Sequence, residues 1–314
     1  MAEQEPPVVE PGTAPSGAGW HVEAEIASQP ESWRRAAALA AELKAVLPSG
    51  GGRIAFSGCG TSFYVAQTVA ALWEAGGHGQ ADAFASSEMP TRTDYDAVVV
   101  ISRSNTTTEV VDLLHRLDGA VTVAVVGVHP GPISSIATRA LGLPFADEES
   151  VVQTRFATSV IAAFRALLGD DVEQLAVQAA KVLHEPTPRF EGAHRFVFLG
   201  TGPAVGLAHE AGLKMREASQ TVTESYPAME YRHGPIALAE PGVVVWMLGT
   251  PPPGLIEDIR RTGATVVNDD LDPLVDLVRI QSVAVAIAHE KGLDPDRPRH
   301  LTRAVMLTDT ESAH

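Results

Sequence analysis

Short, unbroken apolar runs alternate along this chain with stretches whose apolar residues recur every three or four positions. In "RIAFSGCGTSFYVAQTVAALWEAG" the run Ile54–Phe56 reads as a strand, followed by a Gly-x-Gly turn, a polar cap and a helix. "YDAVVVISRSNTTTEVVDLLHRL" repeats the scheme, with a strand at Ala97–Ile101, a hydroxyl-rich loop and a helix from Thr108. "VTVAVVGV" is a third strand, too rich in β-branched residues for a helix. Ahead of these, Ser28 to Val46 carries alanines and leucines at helical spacing and ends in the turn "PSGGG".

The pattern then restarts. "HRFVFLGTGPAVGLAHEAGLKMREAS" gives a strand at Phe196–Leu199, a second Gly-x-Gly turn at Gly200 and Gly202, and a helix. "VVVWMLG" and "ATVVNDD" add strands, with the helix "PGLIEDIRRTG" between them. Placing Gly58 on Gly200 aligns the two halves, so the sequence reads as an internal duplication of an α/β unit. Continuous apolar strands alternating with helices predict parallel sheets covered on both faces. That is a doubly wound, three-layer α/β architecture of flavodoxin or Rossmann type, in two subdomains. The expected division is a disordered tail over 1–23, one unit over 24–170, and a second unit with a C-terminal tail over 171–314. The join falls near "DDVEQLAVQAAKVLHEPTPRF", a helix broken by Pro186 and Pro188. In such sheets ligands sit at the carboxyl ends of the strands. Both Gly-x-Gly turns and the Ser/Thr loop lie there.

Composition narrows the chemistry. A formal net charge of −16 over 314 residues repels a phosphate polymer, so a nucleic-acid partner is not expected. A small anion is still admissible at a locally positive site. The single cysteine, Cys59, excludes an internal disulfide framework and a Cys-based zinc cage, and fits a reducing compartment. No apolar run reaches the ~20 residues that span a bilayer, so no membrane partner is expected. The N-terminal stretch lacks the basic and apolar regions of a signal peptide, and a cytoplasmic location is expected. No cofactor and no metal site are expected either. His115, His209 and His289 lie on helices without partners at ligand spacing.

Two stretches carry candidate chemistry. "SRSNTTTE" puts Ser102, Ser104, Thr106, Thr107 and Thr108 between a strand and a helix, where hydroxyls, free N–H groups and the helix dipole can hold an anion. Taken alone it reads equally as an N-cap with spare threonines. Ser62, at the other strand end in "CGTS", can converge on the same anion. "GCGTSF" lacks the third glycine of a dinucleotide fingerprint. In "EAGLKMREASQTVTESYPAMEYRHGP", Glu210, Lys214 and Glu217 fall at i, i+4 and i+7 on one helix face, which by itself describes a surface ion ladder. His233 by itself reads as a capping or core histidine, and Cys59 as a small buried residue. The strand-end glycine turn before the helix and the His233 loop after it favour chemistry at Glu217.

Together, "CGTS", the Ser-x-Ser-x-x-Thr loop, "GLKMREAS" and "EYRHGP" make the chain resemble tandem sugar isomerase (SIS) domain proteins. The likeness is strongest to the isomerase half of glucosamine-6-phosphate synthase. "EIASQP" at Glu25–Pro30 is similar to the start of that half, and "DPDRPRHLTRAV" at Asp294–Val305 to its tail, so the resemblance covers about 24–307. It implies a sugar 6-phosphate held by Cys59, Gly60, Thr61 and Ser62 and by Ser102, Arg103, Ser104, Asn105 and Thr107, with Val151 and "EESVVQT" lining the sugar pocket. It further implies Glu217 as the base that moves a proton between C1 and C2, with Lys214 beside it. His233 would assist ring opening from the neighbouring subunit of a homodimer.

Departures from the family pattern shape the expected reaction. No glutaminase segment with a cysteine nucleophile precedes residue 24, so a reaction other than glutamine-dependent amination is expected. Arg103 replaces a glutamine. Asn105 replaces a glycine; it tolerates a left-handed backbone, and its side chain is expected close to the phosphate or the sugar. Arg303 replaces an imine-forming lysine; a guanidinium cannot form the imine but can stabilise an enediolate. Proton abstraction at C2 of a hexosamine 6-phosphate, or of the related ketose phosphate, leads to isomerisation or deamination. With an N-acetyl group on C2, loss of the C3 hydroxyl becomes the alternative, a dehydratase acting on N-acetylglucosamine 6-phosphate. A non-catalytic sugar-phosphate sensor is the reading from another class.

Overall fold

The computed structural model describes residues 17–48, 52–90, 94–117 and 119–307. Three short helices open it: α1 (Trp20–Ala27), α2 (Gln29–Ala38) and α3 (Ala40–Val46). The first α/β unit follows as β1 (Ile54–Gly58), α4 (Thr61–Ala75), β2 (Ala81–Ala85), β3 (Ala97–Ser102), α5 (Thr108–Arg116), β4 (Thr122–Val126), α6 (Pro132–Ile136) and β5 (Arg139–Gly142). Helices α7 (Arg155–Leu167) and α8 (Val172–His184) lead to the second unit. That unit runs β6 (Arg195–Gly200), α9 (Ala204–Ser219), β7 (Val222–Pro227), β8 (Val243–Leu248), α10 (Leu255–Arg260), β9 (Thr265–Val267) and α11 (Pro273–Glu290).

Every strand pairing is parallel, in a five-stranded sheet ordered β2-β1-β3-β4-β5 and a four-stranded sheet ordered β7-β6-β8-β9. The expected architecture of two parallel α/β units is therefore observed. Strands β1, β3, β4 and β8 are buried along their whole length, which is why they appear as unbroken apolar runs. One apolar core, from Val22 and Trp33 through Phe56 and Phe164 to Phe196, Trp246 and Leu277, fills the space between the sheets and draws on both units. Smaller clusters cover the outer faces, around Val100 and Leu113 on one and Val245 and Ile259 on the other. No helix among the described residues is long and apolar enough to cross a membrane.

The N-terminal tail expected over 1–23 ends earlier than its composition implies. Residues 1–16 lie outside the described residues, but α1 starts at Trp20. Its first free N–H groups are satisfied from far along the chain: Asp296 accepts from His21 N at 3.0 Å and Val22 N at 2.8 Å, and Asp294 accepts from Gly19 N. The stretch expected as one helix over Ser28–Val46 is broken between Ala38 and Ala40 into α2 and α3.

Candidate active site

In the first sheet the strand order reverses between β1 and β3, so the loops after these strands flank a crevice at their carboxyl ends. The β1–α4 turn needs its glycines. Gly60 has φ +53°, and a side-chain carbon on Gly58 would lie 2.6 Å from the Ser62 carbonyl carbon. Thr61 and Ser62 open α4 and are buried. On the opposite side, Ser102 ends β3 with its hydroxyl buried and without a hydrogen-bond partner. The Ser104 and Thr107 hydroxyls are 3.4 Å apart, and Thr106 N donates to Ser104 Oγ. Thr107 is the N-cap of α5, yet its side chain makes no capping bond. A buried polar group without a partner is uncommon, and this one stands at the carboxyl end of β3, where the loop to α5 begins.

The C-terminal tail reaches this loop. Val305 O accepts from Thr108 N at 3.2 Å, and Leu307 N donates to Thr108 Oγ1 at 2.9 Å.

Helix α9 of the second unit packs against α4 of the first. Lys214 Nζ donates to Thr61 Oγ1 at 2.8 Å and to Glu217 Oε2 at 2.5 Å, and lies 3.4 Å from Glu210 Oε1. Thr61 in turn donates to Glu210 Oε1 at 3.3 Å. The face that resembled a surface ladder is thus interior: the Lys214 and Glu210 side chains are 1% exposed, whereas Glu217 is 19% exposed and opens outward. Burial pushes the Glu210 carboxyl up to about 7, Lys214 pulling it down and Glu217 adding to the rise. For Lys214, burial opposes the charge, but Glu210 and Glu217 outweigh it, so the ammonium is held above its ordinary range. Glu210 was noted in the sequence only as part of a spacing; its burial depends on α4 lying over it.

Three expected contacts sit elsewhere. Arg103 does not present its guanidinium to the crevice. It is 2% exposed and donates to Ser150 O at 2.9 Å and Arg303 O at 2.7 Å, with Glu148 at 4.0 Å. Desolvation lowers its proton affinity, and Glu148 partly offsets this. Asn105 takes the left-handed backbone with φ 62°. Its side chain, expected near the phosphate, turns the other way and bonds Val128 O, Ser134 Oγ and Ser134 N. The cause is a backbone acceptor and the start of α6 lying against the loop. Arg303 is bidentate to Asp147, both contacts 2.6 Å, and donates to Glu148 O. Its charge is neutralised where it stands. The Val151 backbone is tied to Asp296 O and, more weakly, to Arg103. His233 ends a 3-10 turn, Ala228–His233, that buries Ala228 and Tyr231, and is itself exposed. Cys59 is half-buried, and burial raises its thiol. Among the described residues no group of three His, Cys, Asp or Glu could hold a metal ion.

No family model matches the chain. The sequence is homologous to part of the glutamine–fructose-6-phosphate aminotransferases. It is 27% identical over 304 residues to the enzyme of Methanothermobacter thermautotrophicus, covering 81% of this chain and 52% of that one. It is 32% identical over 189 residues to the enzyme of Aeropyrum pernix, covering 49% and 29%. The chain thus spans about half the length, or less, of the curated relatives it matches. Among solved structures it is similar to a glucosamine-6-phosphate deaminase from Thermotoga maritima, with TM-score 0.78, 23% identity and coverage of 90% and 99%. It is also similar to a tagatose-6-phosphate ketose/aldose isomerase from Escherichia coli, with TM-score 0.74, 17% identity and coverage of 90% and 95%. Those two likenesses are of fold.

Proposed function

We propose that this chain is a phosphosugar-processing enzyme of the aldose–ketose isomerase or deaminase type. Its substrate is a hexosamine 6-phosphate or the related ketose phosphate, and Glu217 takes the proton from C2 of the aldose or C1 of the ketose. The observation that carries the reading is the pairing of two features across one crevice. An anion cradle with a buried, unpartnered Ser102 hydroxyl stands on one unit. A half-open carboxylate, Glu217, is held from behind by the buried Lys214 on the other. The Thr61–Lys214 hydrogen bond ties the two together. The names of the homologous and structurally similar proteins are consistent with this class of substrate.

In this reading the phosphate sits among Ser62, Ser102, Ser104 and Thr107. C2 then faces Glu217, and the open-chain carbonyl delocalises the charge left on carbon. Lys214 has all three of its N–H directions taken up by Glu217, Thr61 and Glu210, so it acts as a fixed positive charge and not as an imine-forming amine. Arg303, bound to Asp147, holds the tail in place. His233, exposed in the single chain, serves ring opening in the site of a second copy. Units over 24–170 and 171–314 share the work.

The test is incubation with glucosamine 6-phosphate, fructose 6-phosphate and N-acetylglucosamine 6-phosphate in heavy water, followed by mass spectrometry. The expected result is uptake of deuterium at C2 or C1 and its loss in Glu217→Gln. Loss of one water from the N-acetylated sugar assigns the dehydratase reaction instead. Binding without exchange by any of the three refutes the catalytic reading and leaves a sensor.

A further inference from the structure

The helix face that carries Lys214 and Glu217 holds a second carboxylate, and two other buried glutamates show what is unusual about it. Glu148 accepts from Thr154 N, Thr154 Oγ1 and Arg155 N, and Glu25 from Glu149 N and Ser150 Oγ. Both act as caps for a turn of backbone. Glu210 caps nothing. Its Oε1 meets only Thr61 and Lys214, and its Oε2 is buried without any partner. All its partners belong to the candidate site.

We propose that Glu210 is a positioning residue for the reaction: it holds the Lys214 ammonium in place and electrically balanced while Glu217 passes through its protonated state. This rests on the proposed function. When Glu217 gains a proton from carbon, Lys214 loses its nearest counter-charge. At 1% exposure the ammonium has no water to replace it, and an unpaired buried charge is strongly disfavoured. Glu210 is the carboxylate already within reach. No bond forms or breaks at Glu210: above about pH 7 it is ionised both before and after Glu217 takes the proton. The charged groups bearing on it are Lys214 and Glu217 of its own helix, with Thr61 of α4 as the neutral neighbour. Glu148, from the segment before α7, adds to the field at Lys214.

The experiment compares kcat and KM against pH for the full chain and for Glu210→Gln, Glu210→Asp and Glu217→Gln, using deuterium exchange at C2 of glucosamine 6-phosphate. Removing the negative charge of Glu210 leaves Lys214 to act on Glu217 alone, which then takes a proton less readily. Glu210→Gln is expected to lower kcat about tenfold or more, with KM within about twofold, and to move the acidic limb of kcat about one pH unit lower. Glu210→Asp keeps the charge and is expected to restore the limb. A Glu210→Gln profile that falls in height without moving its limb shows a merely structural role and overturns the proposal, as does unchanged kcat. If Glu210→Gln gives no cooperative unfolding transition, Glu210→Asp decides: a limb at the wild-type pH supports the proposal, and a limb moved to lower pH overturns it. If Glu217→Gln exchanges at the wild-type rate, the proposed function fails and this inference with it. If Glu217→Gln is dead but Glu210→Gln keeps its limb, only this inference fails.

Discussion

Arg103→Met should loosen the whole crevice although the side chain touches no ligand position. Arg103 is 2% exposed, and from the loop after β3 its guanidinium binds two other segments: the Ser150 carbonyl before α7 and the Arg303 carbonyl in the tail. Each charge-assisted bond is worth about 1.5–3 kcal/mol. Methionine avoids the desolvation of a buried cation, which offsets part of that loss. It also removes the guanidinium that is ion-paired with Glu148, which adds to it. The net expectation is a loss of ~2–4 kcal/mol, read as a lower urea midpoint at unchanged slope in tryptophan fluorescence. Trypsin should also cut faster in the tail at Arg299 and Arg303. Arg103→Lys should fall between, because one ammonium cannot reach two carbonyls in a fixed fork. A Met variant within about 1 kcal/mol of wild type, with tail cleavage unchanged, would refute this reasoning.

Ser102→Ala removes a buried hydroxyl that has no partner, so unliganded stability should stay within about 0.5 kcal/mol of wild type while glucosamine 6-phosphate binds at least about tenfold more weakly by calorimetry. Burial pushes the Asp276 carboxyl from 3.8 up to about 6, with Arg279 and the Trp246 indole pulling it down. The stability this group contributes is fully present below about pH 4 and is lost as the pH rises through about 6, by ~2–3 kcal/mol. Urea unfolding of Asp276→Asn should therefore improve relative to wild type by about that amount between pH 4 and 7.5. His233→Ala and Glu217→Gln should each be inactive alone, and an equal mixture refolded together should regain about a quarter of wild-type activity if each site takes His233 from the other copy of a dimer. No recovery would place His233 in the site of its own chain.

What the sequence made legible follows burial. The central strands are buried on both faces and stand out as apolar runs. The strands that escaped notice are β2, β5 and β7, all at sheet edges and only partly buried, with sequences such as "ADAFA" and "VTESYP". The start of α1 was hidden for a different reason: its N-terminal groups are capped by Asp294 and Asp296, at the other end of the chain. At the site, spacing alone grouped Glu210, Lys214 and Glu217. Spacing could not say that α4 would cover the first two and leave the third open. Nor could it give the direction of a side chain in a loop. Asn105 was placed correctly in backbone and wrongly in side chain, because its partners Val128 and Ser134 come from the far side of β4.

The packing of the two units explains why one crevice, and not two, carries the candidate chemistry. Helices α4 and α9 run in opposite directions: Thr61 meets Glu210 and Lys214, Gln67 meets His209, and Thr68 meets Gly206. The approach is close enough that a side-chain carbon on Gly206 would lie 2.3 Å from Thr68 Oγ1. This crossing carries the far end of α9 to the near end of α4. Glu217, roughly 20 Å along α9 from its own glycine turn, therefore serves the loops of the other unit. The second unit's own crevice lacks what an anion needs. After β8 the chain reads Gly249-Thr250-Pro251-Pro252-Pro253-Gly254, where three prolines have no N–H to donate. Thr201 spends its hydroxyl on Thr250 O, and Asp269, Asp270 and Asp272 line the cavity beside it. The first unit carries the candidate anion cradle, the second carries the helix of Lys214 and Glu217, and the antiparallel packing of α4 on α9 brings them together.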